Sequence, residues 1–68
     1  NMEYQKLIGK EGTTLTDLRP VGTIEINGKK YSAQADGKWV EKGTKIRVVK
    51  VDGTKIEVEV VKVIENNA

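Results

Sequence analysis

The sequence predicts a small all-β domain in which five antiparallel strands form a barrel, as a meander or a closed Greek key. β-Branched residues dominate the second half of the 68-residue chain, and seven glycines are spaced at short intervals along the whole chain. Strand-like runs separated by turn residues at such spacing are typical of sandwiches and barrels. No segment longer than a turn has the three- to four-residue apolar spacing of a helix.

The clearest predicted element is a hairpin over Val21–Ala35. Its first strand alternates Ile24 and Ile26 with polar residues, and the return strand resumes the alternation from Tyr31. Between them stands Asn27-Gly28, a pair that favours the positive φ angles of a type I′ turn. We therefore expect one buried and one solvated face, as in antiparallel strands over a single core.

A second hairpin is predicted over Lys45–Ile64, with its tight turn at Asp52-Gly53. Its apolar alternation slips by one position at Val49 and again beyond Val60. Such a slip moves side chains to the opposite face of the sheet, and a β-bulge is the usual remedy. Two slips in facing strands predict strongly curved strands, and curvature of this kind closes a small barrel.

The remaining segments are assigned from glycine, proline and length. A strand over Lys6–Thr14 is expected to bend at its glycines, and Pro20, which lacks a backbone donor, should stand at the entry of the next strand. The connection Asp36–Gly43 is too short for a proper helix. Within it, Trp39 is expected to fold over an open end of the barrel as a core anchor. The ordered core is expected over about residues 6–64 of a single domain, 1–68.

Composition excludes most catalytic chemistry. The chain has no cysteine and no histidine, so disulfides, thiolate ligands and the commonest general base are missing. Three groups of residues could suggest chemistry, and all are interpreted as surface residues. Ser32 and Lys30 are not expected to form a nucleophile with its base, and Glu57 and Glu59 are not expected to bind a metal. Lys55, which follows a turn, is not expected to be the modified lysine of a carrier domain. We expect no enzyme activity, no metal and no cofactor.

The charge and hydropathy patterns point to a soluble domain. Twelve basic and ten acidic residues are interspersed along the chain and leave a net charge of +2. No apolar run approaches the roughly 20 residues of a membrane helix, and no signal peptide is visible. The sequence therefore predicts a fragment that does not itself span a membrane.

Three ordered patterns together resemble the C-terminal domain of NfeD proteins. Residues 9–22 read G-x-x-G-T-T-x-x-D-L-R-P-x-G, residues 24–33 read I-x-I-x-G-x-x-Y-x-A, and residues 37–53 read G-x-W-V-x-x-G-T-x-I-x-V-x-x-V-x-G. The resemblance extends from about Leu7 to Val60. It implies an OB-type barrel that lacks the usual helix between strands three and four.

The same resemblance implies a function. NfeD proteins place this barrel after transmembrane helices, and long members add an N-terminal serine protease domain resembling ClpP. Genes of the family commonly accompany stomatin- or flotillin-type membrane proteins. The chain is therefore expected to be a non-catalytic interaction and assembly module, membrane-associated through its parent protein, that acts with a stomatin- or flotillin-type partner.

Candidate partner contacts lie in the loop Leu15–Arg19 and at the rim around Trp39. Leu15 and Leu18 would extend an apolar interaction patch if exposed, and would otherwise form a lid over the barrel bottom. Arg19 would either contact a partner or form a salt bridge to Asp17 or a hydrogen bond to loop carbonyls.

Two further interactions stay open on the sequence alone. An OB barrel can bind single-stranded nucleic acid across its strand 2–3 face, given aromatic platforms in a basic groove. The residues that could form such a patch are Lys29, Lys30, Lys42, Lys45 and Arg47. Homo-oligomers are possible if the valine-rich last strand is left as an open edge.

Overall fold

The computed structural model describes residues 2–62, which form one helical turn and a closed barrel of five strands. The elements are α1 (Met2–Gln5), β1 (Glu11–Thr14), β2 (Val21–Ile26), β3 (Lys29–Ala35), β4 (Lys45–Asp52) and β5 (Lys55–Val60). The strands follow the order β1-β2-β3-β5-β4, and β4 pairs back with β1. The predicted five-stranded barrel is confirmed, and residues 36–44 between β3 and β4 hold no helix.

The prediction of purely antiparallel pairing was wrong at one joint. β3 and β5 run parallel, with Ala33 opposite Ile56 and Ala35 opposite Val58. The other four joints are antiparallel. A closed ring with an odd number of strands cannot reverse direction at every joint, so five strands require at least one parallel pair.

Both predicted hairpins form. Asn27 and Gly28 join β2 to β3 with φ angles of 51° and 79°, which confirms the predicted turn. In the second hairpin Asp52 pairs with Lys55, so the loop is Gly53-Thr54, one residue later than predicted. Gly53 has φ 63° at the first loop position, the position where a type II′ turn requires glycine.

The predicted bulge is present in β4. The register against β5 shifts between Val48 and Lys50, so Val49 is 44% exposed while Val51 returns to the core. The second slip was predicted beyond Val60, the last residue of β5. Val60 itself continues the alternation of Ile56 and Val58 and was predicted to face the core, but it is 41% exposed. The predicted continuation of this strand to Ile64 lies outside the described residues from position 63.

The predicted strand over Lys6–Thr14 is wrong in its first half. The turn that follows helix α1 occupies residues 6–9, and β1 starts only at Glu11, after Gly9, whose φ is 86°. The turn brings Leu7 into the core and places Tyr4 edge-to-face on Tyr31, with ring centroids 5.9 Å apart. Covering the barrel with these side chains outweighs the weak preference of a four-residue segment for helix or strand.

The barrel holds one apolar core. Its buried side chains are Leu7, Leu18, Ile24, Ile26, Ala33, Ala35, Val40, Ile46, Val48, Val51, Ile56 and Val58. Nine of them come from alternating positions in β2–β5 or the bulge, as the hydrophobic pattern predicts, and Leu7 comes from the turn after α1. Leu18 and Val40 come instead from loops and close one end of the barrel.

A ladder of charges crosses the outside of three strands. Glu11 of β1 accepts a hydrogen bond from Arg47 of β4 at 3.0 Å and lies 3.2 Å from the ammonium of Lys45. Arg47 also lies 3.9 Å from Glu59 of β5. The hydrogen bond from Arg47, followed by that from Lys45, lowers the pKa of Glu11 below its ordinary value.

This ladder predicts a pH-dependent difference between the native chain and Glu11→Gln. Since the pKa of Glu11 is lowered on folding, its ionised form stabilises the barrel above the unfolded pKa, and this contribution disappears as pH falls through the folded pKa. Urea unfolding at pH 7 should show Glu11→Gln to be the less stable, and the two chains should converge as the pH falls below the folded pKa of Glu11. A difference that stays constant with pH would contradict the ladder.

Candidate functional site

The connection between β3 and β4 is fastened to the end of β1 by Thr14. The Thr14 hydroxyl is buried, donates to the carbonyl of Glu41 at 2.8 Å and accepts from the amide of Thr44 at 2.9 Å. Its backbone amide donates to Thr44 at 2.9 Å, and its carbonyl accepts from Gly43 at 2.8 Å. Thr14 thus holds residues 41–44 against the end of β1 through four hydrogen bonds.

The loop after β1 is fastened to the same connection. Leu18 and Val40 exchange two backbone hydrogen bonds, of 2.8 and 3.2 Å, and both side chains are buried. A carboxylate oxygen of Asp17 accepts from the amide of Lys42 at 2.8 Å. Residues 14–19 and 39–44 are therefore a single cross-braced unit at one end of the barrel.

Trp39 lies on the outer side of this unit, and its predicted role as a core plug was wrong. Its side chain is 63% exposed, whereas Val40 beside it is 4% exposed. The bridge to Leu18 sets extended geometry here, so successive side chains point to opposite sides. Only one of the two can face the core, and the space left by Leu18 fits a valine.

Arg19 lies against Trp39. Its guanidinium carbon is 4.5 Å from the centroid of the indole ring, within the range of a cation–π contact. One guanidinium nitrogen also lies 3.8 Å from a carboxylate oxygen of Asp17, in an exposed pair. The expected ion pair with Asp17 is confirmed, and the stacking on Trp39 was not predicted.

These side chains line a shallow depression, which we name the Trp39 surface. Its residues are Arg19, Pro20, Gly37, Lys38 and Trp39. Both charged members are cations, and Trp39 and Pro20 are the apolar members. Pro20 and Lys38 were not among the predicted site residues, although each directly adjoins one in the sequence, Arg19 or Trp39.

The predicted contact residues are divided by the structure. Arg19 and Trp39 come together on one surface. Leu18 is 0% exposed and belongs to the core, which makes it the lid that was the alternative to a contact. Leu15 is half-buried, and its amide donates to Thr23 at 2.8 Å on the side of β2.

The groups considered for chemistry do not converge. Ser32 is exposed on β3, Glu57 accepts a long hydrogen bond of 3.3 Å from Gln34, and Glu59 faces Arg47. Within residues 2–62 no three histidine, cysteine, aspartate or glutamate side chains lie close enough to hold a metal ion. In the same part of the chain no helix is long and apolar enough for a membrane crossing.

The sequence is similar to segments of much longer membrane proteins. It is 40% identical to membrane protein NfeD1b of Bacillus subtilis over 58 residues, a match that covers 85% of this chain and 13% of that protein. It is 41% identical to the membrane-bound protease PH1510 of Pyrococcus horikoshii over 51 residues, a match that covers 72% of this chain and 11% of that protein. The chain therefore spans only a small part of the length of the curated relatives that it matches.

Solved structures share the fold. The C-terminal domain of stomatin operon partner protein 1510-C from Pyrococcus horikoshii superposes with a TM-score of 0.80 at 34% identity, covering 85% of this chain and 92% of that one. A second match is the soluble domain of a membrane protein implicated in regulation of membrane protease activity, from Corynebacterium glutamicum. Its TM-score is 0.73 at 22% identity, and the match covers 81% of this chain and 92% of that one.

A family match covers most of the barrel. Residues 4–59 match the family described as the NfeD-like C-terminal, partner-binding domain. This range includes all but the last residue of β5 and the whole unit that carries Trp39. The resemblance found in the sequence is thus confirmed: the chain belongs to the family of NfeD-like C-terminal domains.

Proposed function

We propose that this domain is a non-catalytic interaction module that docks a membrane-anchored parent protein onto a stomatin- or flotillin-type partner through the Trp39 surface. The observation that carries the proposal is the exposure of the chain's one tryptophan on a cross-braced unit. A large aromatic side chain left in water loses the stabilisation that its burial would bring. Burial against a partner restores it.

The rigidity of the support makes this surface suited to binding. Trp39 is flanked by Val40, which is buried and paired with Leu18, and Arg19 covers part of the ring. A side chain already held in one arrangement loses little conformational freedom on association. Tryptophan and arginine are also the residues that most often dominate the binding energy of protein interfaces.

The partner class is suggested by the relatives. A structure with the same fold is named as a domain of a stomatin operon partner protein, and both long relatives carry the names of membrane proteins. These names support a partner of the stomatin type at a membrane surface. The parent protein would supply the membrane attachment.

The alternative function, binding of single-stranded nucleic acid, fits the charges less well. On β4 the cations Lys45 and Arg47 are both within 4 Å of Glu11, so they do not form a free basic groove. Tyr31 is half-buried and its ring is in T-shaped contact with that of Tyr4. Stacking platforms on a basic track are what such binding needs.

We predict that Trp39→Ala weakens binding to the soluble domain of a stomatin-type protein by about thirtyfold or more, the effect of losing a hot-spot side chain of about 2 kcal/mol. Biolayer interferometry with the immobilised partner measures it. Because Trp39 is mostly exposed, the urea unfolding midpoint should change little. Ile8→Ala, which removes another exposed apolar side chain (48%), is the matched control. Equal affinity of Trp39→Ala and the native chain would contradict the proposal.

A further inference from the structure

We propose that the Trp39 surface recognises a carboxylate that adjoins an apolar side chain in a short peptide segment of the partner. The inference rests on the proposed function and specifies the chemistry of what binds there. It follows from three properties of the described residues that line this depression: the open donors of one guanidinium, a lysine ammonium without an ion-pair partner, and the exposed indole.

The first property is the geometry of Arg19. Its guanidinium carbon lies over the Trp39 ring, 4.5 Å from the centroid. A cation–π contact uses none of the hydrogen-bond donors of a guanidinium, and in the described part of the chain the Arg19 side chain donates no hydrogen bond. Asp17 approaches one nitrogen only to 3.8 Å, beyond the length of a good hydrogen bond. The fork of donors that fits a carboxylate is therefore open to solvent.

The second property is the charge of the depression. Lys38 lines it with Arg19, and no carboxylate lies within 4 Å of the Lys38 ammonium in the described part of the chain. None of the five lining residues is acidic. Two cations with unfilled donors around one hollow are complementary to a single anionic group.

The third property is the apolar area next to these donors. The indole of Trp39 and the ring of Pro20 line the same depression as the two cations. A leucine, valine or proline side chain beside the bound carboxylate would remove this area from water. The surface therefore selects the pair, an acid with an apolar neighbour, rather than either group alone.

An anionic membrane is the competing ligand, and the surrounding charges favour the peptide. Attraction to lipid head groups needs clusters of about four to eight basic residues. Here the two cations stand among exposed or partly exposed acids at Asp17, Asp36 and Glu41. The attraction to anions is thus confined to short range. A single carboxylate can approach the two cations closely, whereas an extended anionic membrane surface gains little.

The test is selection of a phage-displayed library of random 12-residue peptides on the immobilised chain. Enriched peptides are expected to carry Asp or Glu within two positions of an apolar residue. Synthetic copies are then titrated while the emission of Trp39, the chain's one tryptophan, is followed. Replacing the peptide's acid by its amide, or Arg19→Gln or Lys38→Gln in the chain, should each weaken binding about tenfold. Lys29→Gln, which removes an exposed cation at the start of β3, should change nothing.

Enriched peptides without acids, amide peptides that bind equally well, or no enrichment over the Trp39→Ala chain would each overturn the inference. So would a saturable emission shift with phosphatidylserine vesicles where the acidic peptides give none. The proposed function fails separately: if Trp39→Ala still loses the stomatin-type partner while the charge variants keep it, docking at this surface stands and carboxylate recognition does not.

Discussion

Gly22→Ala is expected to lower the free energy of unfolding by about 3 kcal/mol, the upper end for overpacking a tight site. A Cβ added at Gly22 would collide with the carbonyl oxygen of Asp17 and lie 2.6 Å from a methyl of Leu18 and 2.7 Å from the hydroxyl of Thr16. The first neighbour is backbone within the cross-braced unit, so it cannot turn aside. Strand β2 must therefore move away from the loop.

Urea unfolding followed by circular dichroism measures this change. A domain of 68 residues has about 3–10 kcal/mol in total at the usual 0.05–0.15 kcal/mol per residue, so the expected loss is at least about a third of the total stability. Gly53→Ala is the control, because nothing lies within 4 Å of its added Cβ. Its φ of 63° costs about 1–2 kcal/mol for a side chain. Equal losses in the two variants would refute the close approach at Gly22.

Leu18→Ala is expected to cost about 3–5 kcal/mol, the range for a fully buried leucine whose cavity does not collapse. Leu18 is 0% exposed, and its backbone is fixed on both sides by its bonds to Val40. The neighbouring groups therefore cannot move in to fill the space. The same denaturation experiment measures the loss.

Leu15→Ala is the matched control for Leu18→Ala, since it removes the same atoms from a half-buried position in the same loop. Its cost should be about 1 kcal/mol, in proportion to the smaller apolar area that it exposes. A loss below about 1 kcal/mol for Leu18→Ala would mean that this end of the barrel is not closed by Leu18. Because Leu18→Ala lowers stability, the urea denaturation also shows what fraction of this variant is folded in any partner-binding experiment.

Features set by neighbouring residues could be predicted from the sequence. The first hairpin follows from Asn27-Gly28, and the bulge follows from the out-of-phase Val49 and Val51. Both depend on interactions within a few positions, so a local pattern contains the information. The lack of a helix in residues 36–44 follows likewise from the length of that connection.

Features set by closure could not be predicted in this way. The parallel joint between β3 and β5 is a consequence of the ring having five members, and it leaves no trace in either strand's sequence. The outward direction of Trp39 depends on Val40 pairing with Leu18, 22 positions earlier. Without that pairing, the size and apolarity of tryptophan favour the core, which is why the prediction went wrong.

The candidate site was foreseen as a pair of segments rather than as a surface. Arg19 and Trp39 were both selected, one as a loop charge and the other at the rim, but their 4.5 Å contact needs the folded unit. Thr14, which holds that unit together, has no motif that distinguishes it from the threonine before it.

Because the barrel is closed, its binding specificity can change during evolution through a few surface residues. Each strand has a hydrogen-bonded neighbour on both sides, so a bound segment cannot extend the sheet as peptides do on open-edged domains. Main-chain pairing is largely blind to sequence, whereas side-chain recognition is not. Exchange of one or two surface residues on such a barrel can therefore redirect it from one partner to another, while the scaffold beneath stays the same.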